Sequence, residues 1–87
     1  MNYKFADDLS IRAIGEEIFI LKRNTSTIHS FNKTGTFIWK LLQEKKSHSE
    51  IVELLLKRFD MKKDVVENDL SDFLFGLSKN QILIISE

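Results

Sequence analysis

Ser26-Thr27-Ile28-His29-Ser30-Phe31-Asn32-Lys33-Thr34-Gly35-Thr36-Phe37-Ile38-Trp39-Lys40-Leu41-Leu42 decides the reading of this chain. Thr27, Ile28 and Phe31 are β-branched or aromatic and favour a strand. Asn32 is suited to cap a helix by accepting from a backbone N–H one turn on. From there Phe37, Ile38, Leu41 and Leu42 recur at helical spacing, which predicts a helix over 33–43. Gly35 in its first turn costs about 1 kcal/mol against Ala, and a glycine there makes sense if the helix must lie close to the preceding strand. Trp39 is the sole tryptophan and is assigned to the core.

Upstream, Ser10 to Ile14 predicts a short strand ended by Gly15. Glu17 to Lys22 is an apolar run of strand length, consistent with burial on both faces. Arg23-Asn24-Thr25-Ser26 reads as a hairpin turn, with Asn24 the residue most tolerant of a left-handed conformation. The strand then returns over Ser26 to Phe31. Thr27, His29 and Phe31 share one of its faces; Ser26, Ile28 and Ser30 share the other. Residues 1–9 are mixed in character and read as a loose N-terminal arm of a single domain, 1–87.

Downstream, Ser47-His48-Ser49-Glu50 fits a capping box. The second helix carries Ile51, Val52, Leu54, Leu55 and Phe59 as its apolar stripe. Asp60 to Lys63 links to a third helix with Asp64 as its expected cap. Val66, Leu70, Phe73, Leu74 and Leu77 mark its buried face. Asn80 is placed to stop it in a left-handed turn. Ile82 to Ile85 predicts a last short strand. The fold class is α+β and winged helix-turn-helix-like: a three-stranded antiparallel sheet, three helices and a short C-terminal strand.

Composition narrows the function. Lysine plus arginine equal aspartate plus glutamate at 13 each, so no global field attracts nucleic acid or an acidic membrane. There is no cysteine, hence no disulfide and no thiolate nucleophile or ligand. No signal peptide or membrane-length apolar run is visible, which makes a cytoplasmic location the expectation. His29 and His48 stand apart from carboxylates and from each other. No glycine-rich phosphate loop and no metal-ligand spacing occur, and nothing calls for a cofactor. The chain reads as a non-catalytic binding protein.

A winged-helix order raises DNA binding, with the third helix as the recognition helix. From Asp64 to Lys79, however, that helix sets Asp64, Glu67, Asp69 and Asp72 against Lys79 alone. Carboxylates facing phosphates repel, so a winged-helix DNA-binding protein is the alternative reading, beside a general protein-interaction adaptor. A sheet edge offers the other surface, because an extended peptide can add to it as a strand. If 26–31 is that edge, a groove lies between it and the third helix. Ile28, Val66, Leu70 and Phe73 are the side chains able to line it. Phe75, opposite the buried stripe, marks a second contact surface. A free edge also admits a homodimer through strand pairing.

The residues resemble a known family. Ile28-His29-Ser30-Phe31-Asn32-Lys33-Thr34-Gly35-Thr36-Phe37-Ile38-Trp39-Lys40-Leu41-Leu42 is similar to the pattern I-x-x-L-N-x-T-G-x-x-I-W-x-L-L. Ser47 with Ile51 resembles T-x-x-E-I, and Asp69-Leu70-Ser71-Asp72-Phe73-Leu74-Phe75-Gly76-Leu77 resembles the third-helix pattern. These are marks of the small proteins typified by coenzyme pyrroloquinoline quinone synthesis protein D, the leader-peptide recognition elements of ribosomally made, modified peptides. The likeness covers about residues 10–85, with Phe31 standing where leucine is usual. It implies that a precursor's leader binds as an added strand between the third strand and the third helix. It implies presentation to a modifying enzyme, often a radical S-adenosylmethionine enzyme, or to a leader peptidase; the balanced charge and the acidic third helix make no nucleic acid and no membrane the expectation for partners. By position the site residues are Thr27, Ile28, His29, Ser30, Phe31, Val66, Asp69, Leu70, Asp72 and Phe73. Asp69 and Asp72 would meet basic leader residues.

Overall fold

The computed structural model describes residues 2–86. In chain order the elements are β1 (Asn2–Phe5), β2 (Leu9–Ile14), β3 (Glu17–Lys22), β4 (Thr27–Phe31), α1 (Lys33–Gln43), α2 (His48–Arg58), α3 (Lys63–Lys79) and β5 (Leu83–Ser86). The architecture is α+β. Strands β2, β3 and β4 form an antiparallel sheet in that order, with β3 central.

Alternation on β3 sets the layers. Ile18, Ile20 and Lys22 are buried, while Phe19 and Leu21 between them are only half-buried. The run is therefore fully buried on one face, not two, because the helices cover one side of the sheet. Against that face pack Ile38, Trp39 and Leu42 of α1, Ile51 and Leu55 of α2, and Val66, Leu70 and Leu77 of α3.

Residues 2–5 are not a loose arm. They form β1, which pairs antiparallel with β5 from Asn2 opposite Ser86 to Phe5 opposite Leu83. Tyr3 and Phe5 anchor it. The Tyr3 hydroxyl donates to the Leu42 carbonyl at 3.0 Å, and the Phe5 ring lies 4.7 Å from Trp39, centroid to centroid. The C-terminal strand thus belongs to a separate two-stranded sheet.

The caps follow the residue chemistry at two of the three helices. Asn32 Oδ1 accepts from the Gly35 amide at 2.9 Å. Ser47 and Glu50 bond reciprocally, closing the capping box. At α3 the cap position is Lys62, with no side-chain bond, and Asp64 falls inside the first turn, where its charge favours the positive end of the helix dipole. Asn80 ends α3 at φ −87°, its Nδ2 donating to the Gly76 carbonyl, and the left-handed residue is Gln81 at φ 58°. In the β3–β4 turn the left-handed residue is Ser26, φ 54°, since the Asn24 amide is held by Asp8 Oδ2. Accordingly β4 starts at Thr27.

Two contacts carry measurable consequences. Trp39 is fully buried between Phe5 and Phe31, and its Nε1–H finds no acceptor among the described residues, so packing alone holds the ring. Lys22, 5% exposed, pairs with both carboxylate oxygens of Asp8 at 2.9 Å.

Trp39→Ala removes about 3–5 kcal/mol from a domain that has roughly 5–15 kcal/mol to lose. The variant is expected to lack a cooperative thermal transition by circular dichroism; a sharp melt near that of the wild type would contradict the packing. The Lys22 ammonium holds the Asp8 carboxyl below its usual range, and the Ser47 amide does the same for Glu50. Because the folded values are lowered, the stability these groups contribute is complete above about pH 5, beyond the unfolded values, and is lost as pH falls through the folded values. Thermal melts across the acid range should show Asp8→Asn less stable at neutral pH and less sensitive to acid than the wild type. Parallel curves would show that the ion pair carries no such linkage.

Candidate functional site

β4 is an outer strand. One of its edges pairs with β3, and the other has no strand neighbour among the described residues. Beside that free edge lies α3. A cavity of about 250 Å³ separates them, lined by His29 and Phe31 of β4, by Asp72, Phe73, Gly76 and Leu77 of α3, and by Asn80 and Ile82 beyond it. A second, open cleft of about 460 Å³ is bounded by Asn32, Thr34, Ile38, Asp69, Asp72 and Phe73. The two share Asp72 and Phe73 and together make one groove.

The strand-to-helix stretch builds this groove. Asn32 caps α1 directly after β4, so α1 turns back under the strand without a linker. Phe31 then reaches two rings at once, Trp39 at 5.7 Å and Phe73 at 5.0 Å between centroids. Gly35 makes room for them. A Cβ there would lie 3.0 Å from Phe73 Cε1 and 3.1 Å from Phe31 Cβ, tighter than most side-chain contacts, so a neighbour would have to shift by a few tenths of an ångström. The close approach expected of Gly35 is real, and it extends to α3 as well as to β4.

The groove has one polar side and one acidic side. Along β4, Thr27 Oγ1 and His29 Nε2 are 3.2 Å apart, and Thr27 Oγ1 lies 2.7 Å from Thr25 Oγ1. On α3, Asp69 and Asp72 are exposed and have no ion-pair partner among the described residues. No lysine or arginine lines either cavity. Thr27, His29, Phe31, Asp69, Asp72 and Phe73 thus lie on or beside the groove.

The other expected residues do not. Val66 and Leu70 are 1% and 0% exposed, so they anchor α3 to the core and do not line the groove. Ile28 and Ser30 point to the opposite face of the sheet, where Ile28 is 71% exposed. Conversely Asn32, Thr34, Gly76, Leu77 and Asn80 line the groove, although no motif in the sequence marks them as facing a ligand. Helical spacing carried that signal for part of the set: Asp69, Asp72, Phe73, Gly76 and Asn80 recur at three- and four-residue steps and so share one face of α3. A Cβ at Gly76 would meet nothing within 4 Å, in keeping with open space there.

The profile of the family described as Coenzyme PQQ synthesis protein D (PqqD) matches residues 17–83. No curated protein matches the chain in sequence. Among solved structures the chain is similar to TbiB1 in complex with the TbiA(beta) leader peptide, at 31% identity over 97% of this chain and 98% of that one, with a TM-score of 0.88. It also shares the fold of a lasso peptide synthetase B1 complexed with the leader peptide, at 14% identity over 95% of this chain and 98% of the other, TM-score 0.88. The matched stretch runs from the first residue of β3 to the first of β5 and takes in β4, α1 and α3 entire. The chain therefore belongs to the coenzyme PQQ synthesis protein D family.

Proposed function

We propose that this protein is a non-catalytic adaptor. It binds the leader of a ribosomally made precursor peptide as an added strand along β4, and presents the remainder to a modifying enzyme or leader peptidase. The observation that carries this reading is the free β4 edge facing a groove floored by Phe31 and Phe73. The likeness to TbiB1, a structure containing a leader peptide, supports it.

The energetics favour a groove over a bare edge. Thr27–Phe31 offers about 17 Å of strand. Ladder bonds contribute a net of about 0.5–1.5 kcal/mol each, and ordering the peptide offsets much of that. Micromolar binding needs about −8 kcal/mol. Burying an apolar peptide side chain against Phe73 adds about 1.5–3 kcal/mol. Asp69 and Asp72 then favour a basic residue at the Asn32 end. The same acidic lining disfavours a nucleic acid backbone, so the DNA-binding alternative gains nothing from the structure.

The test uses the N-terminal half of a short peptide encoded beside the gene, labelled for fluorescence anisotropy. The wild type should bind it in the micromolar range. Asp69→Lys/Asp72→Lys, on exposed positions, should weaken binding of a basic leader by roughly three- to thirtyfold, since each surface pair contributes about 0.2–1 kcal/mol and reversal adds repulsion. Added salt should shrink the difference. Equal affinity of variant and wild type would rule out the charged contact. Failure of the wild type to bind, alongside binding of duplex DNA, would rule out the reading as a whole.

A further inference from the structure

The face of the sheet turned away from the helices carries apolar residues that the groove leaves unused. On β3, Phe19 and Leu21 alternate with the buried Ile18 and Ile20 and point outward, half-buried. Leu21 stands opposite Ile28 of β4, and Phe19 opposite Ser30, so Ile28 and Phe19 are diagonal neighbours on that face. On the other side Ile14 of β2, opposite Glu17, is diagonal to Phe19 in the same way. A stripe thus crosses the sheet from Ile14 through Phe19 and Leu21 to Ile28, and its two ends are 63% and 71% exposed. Isolated exposed apolar residues are ordinary. These four occupy neighbouring register positions, with Arg12 across from Phe19, and the stripe stops at the free edge of β4 with its most exposed member.

We propose that Ile28 is a specificity-determining residue: the bound peptide continues the stripe, setting an apolar side chain beside Ile28 on the outer face of the sheet. The proposal rests on strand addition along β4 and deepens it. Side chains of an added strand alternate between faces. Those at one parity enter the groove toward Phe73, and the residue between them lies directly across from Ile28, with Cβ atoms about 4.5–5.5 Å apart. The ligand class follows. It is an extended peptide with consecutive apolar residues at its centre, one for the groove and the next for Ile28, and a basic residue where the groove reaches Asp69 and Asp72. A strictly alternating peptide would fill the groove yet leave Ile28 in water.

The experiment is selection from a displayed library of random peptides on three forms of the full chain: wild type, Ile28→Lys and Asp69→Lys/Asp72→Lys. Circular dichroism checks each fold, and sedimentation gives its oligomeric state. The wild type should enrich peptides that are apolar at both parities. Ile28→Lys should keep the groove-facing preference and lose the outward apolar residue, or exchange it for an acid. A wild-type-selected peptide should bind Ile28→Ser roughly two- to fivefold more weakly, and the loss should vanish when the peptide's outward residue is also serine. Enrichment at groove-facing positions alone, or an equal loss for both peptides, would overturn the role of Ile28 and leave strand addition standing. No enriched peptide at all would overturn both. A wild-type dimer that Ile28→Lys makes monomeric would assign the stripe to a second copy and overturn the proposal.

Discussion

Phe31 is wedged between Trp39 of α1 and Phe73 of α3, and the other features of the groove depend on that wedge. It fixes three elements against one another at the last residue of β4. Gly35 leaves the wedge room, since a Cβ there would press on Phe73 at 3.0 Å and on Phe31 at 3.1 Å and one of them would have to shift. The wedge is held in place because Asn32 caps α1 at once, leaving no linker to absorb a shift. Pulling any one of these apart would move α3 relative to β4 and change the width of the groove. The core beneath, with Trp39, Ile20 and Leu70 all fully buried, gives the wedge a rigid base.

This arrangement also distinguishes the two edges of the sheet. β2 and β4 are both outer strands. The residues of β2 from Ile11 to Ile14 are all exposed, so its edge is bare. β4 has Phe73, Asp72 and Gly76 across a cavity. A peptide added at β2 would meet ladder groups and the outward Ile14 but no helix across a cavity, whereas at β4 it also gains burial against Phe73. Because net ladder energy is small against the cost of ordering a chain, an edge with a groove beside it suits a peptide better than one without.

Much of the fold is legible in the chain itself, for local reasons. The strand Glu17–Lys22, the capping box at Ser47 and Glu50, the Asn32 cap and the stripe Val66-Leu70-Leu77 each announce themselves within one element. What is not legible is what depends on distant partners. Tyr3 and Phe5 read as an arm because the strand they join, β5, lies at the opposite end of the chain. Ser26 and Gln81 take the left-handed positions rather than Asn24 and Asn80, since Asp8 and Gly76 hold those asparagines elsewhere. The candidate site divides along the same line. Phe31, Asp72 and Phe73 follow from the strand and helix patterns. The sequence places Val66 and Leu70 beside the ligand because periodicity identifies a buried face without saying which rim of it is open.

The most direct test of the account is amide hydrogen exchange of the full chain, followed by NMR, with and without the peptide encoded beside its gene. Strand addition predicts that binding slows exchange at amides of Thr27–Phe31 whose N–H groups face away from β3, moves resonances along Asp69–Gly76, and leaves β2 unchanged. Protection at β2, or binding that leaves the β4 amides as fast as before, would contradict it.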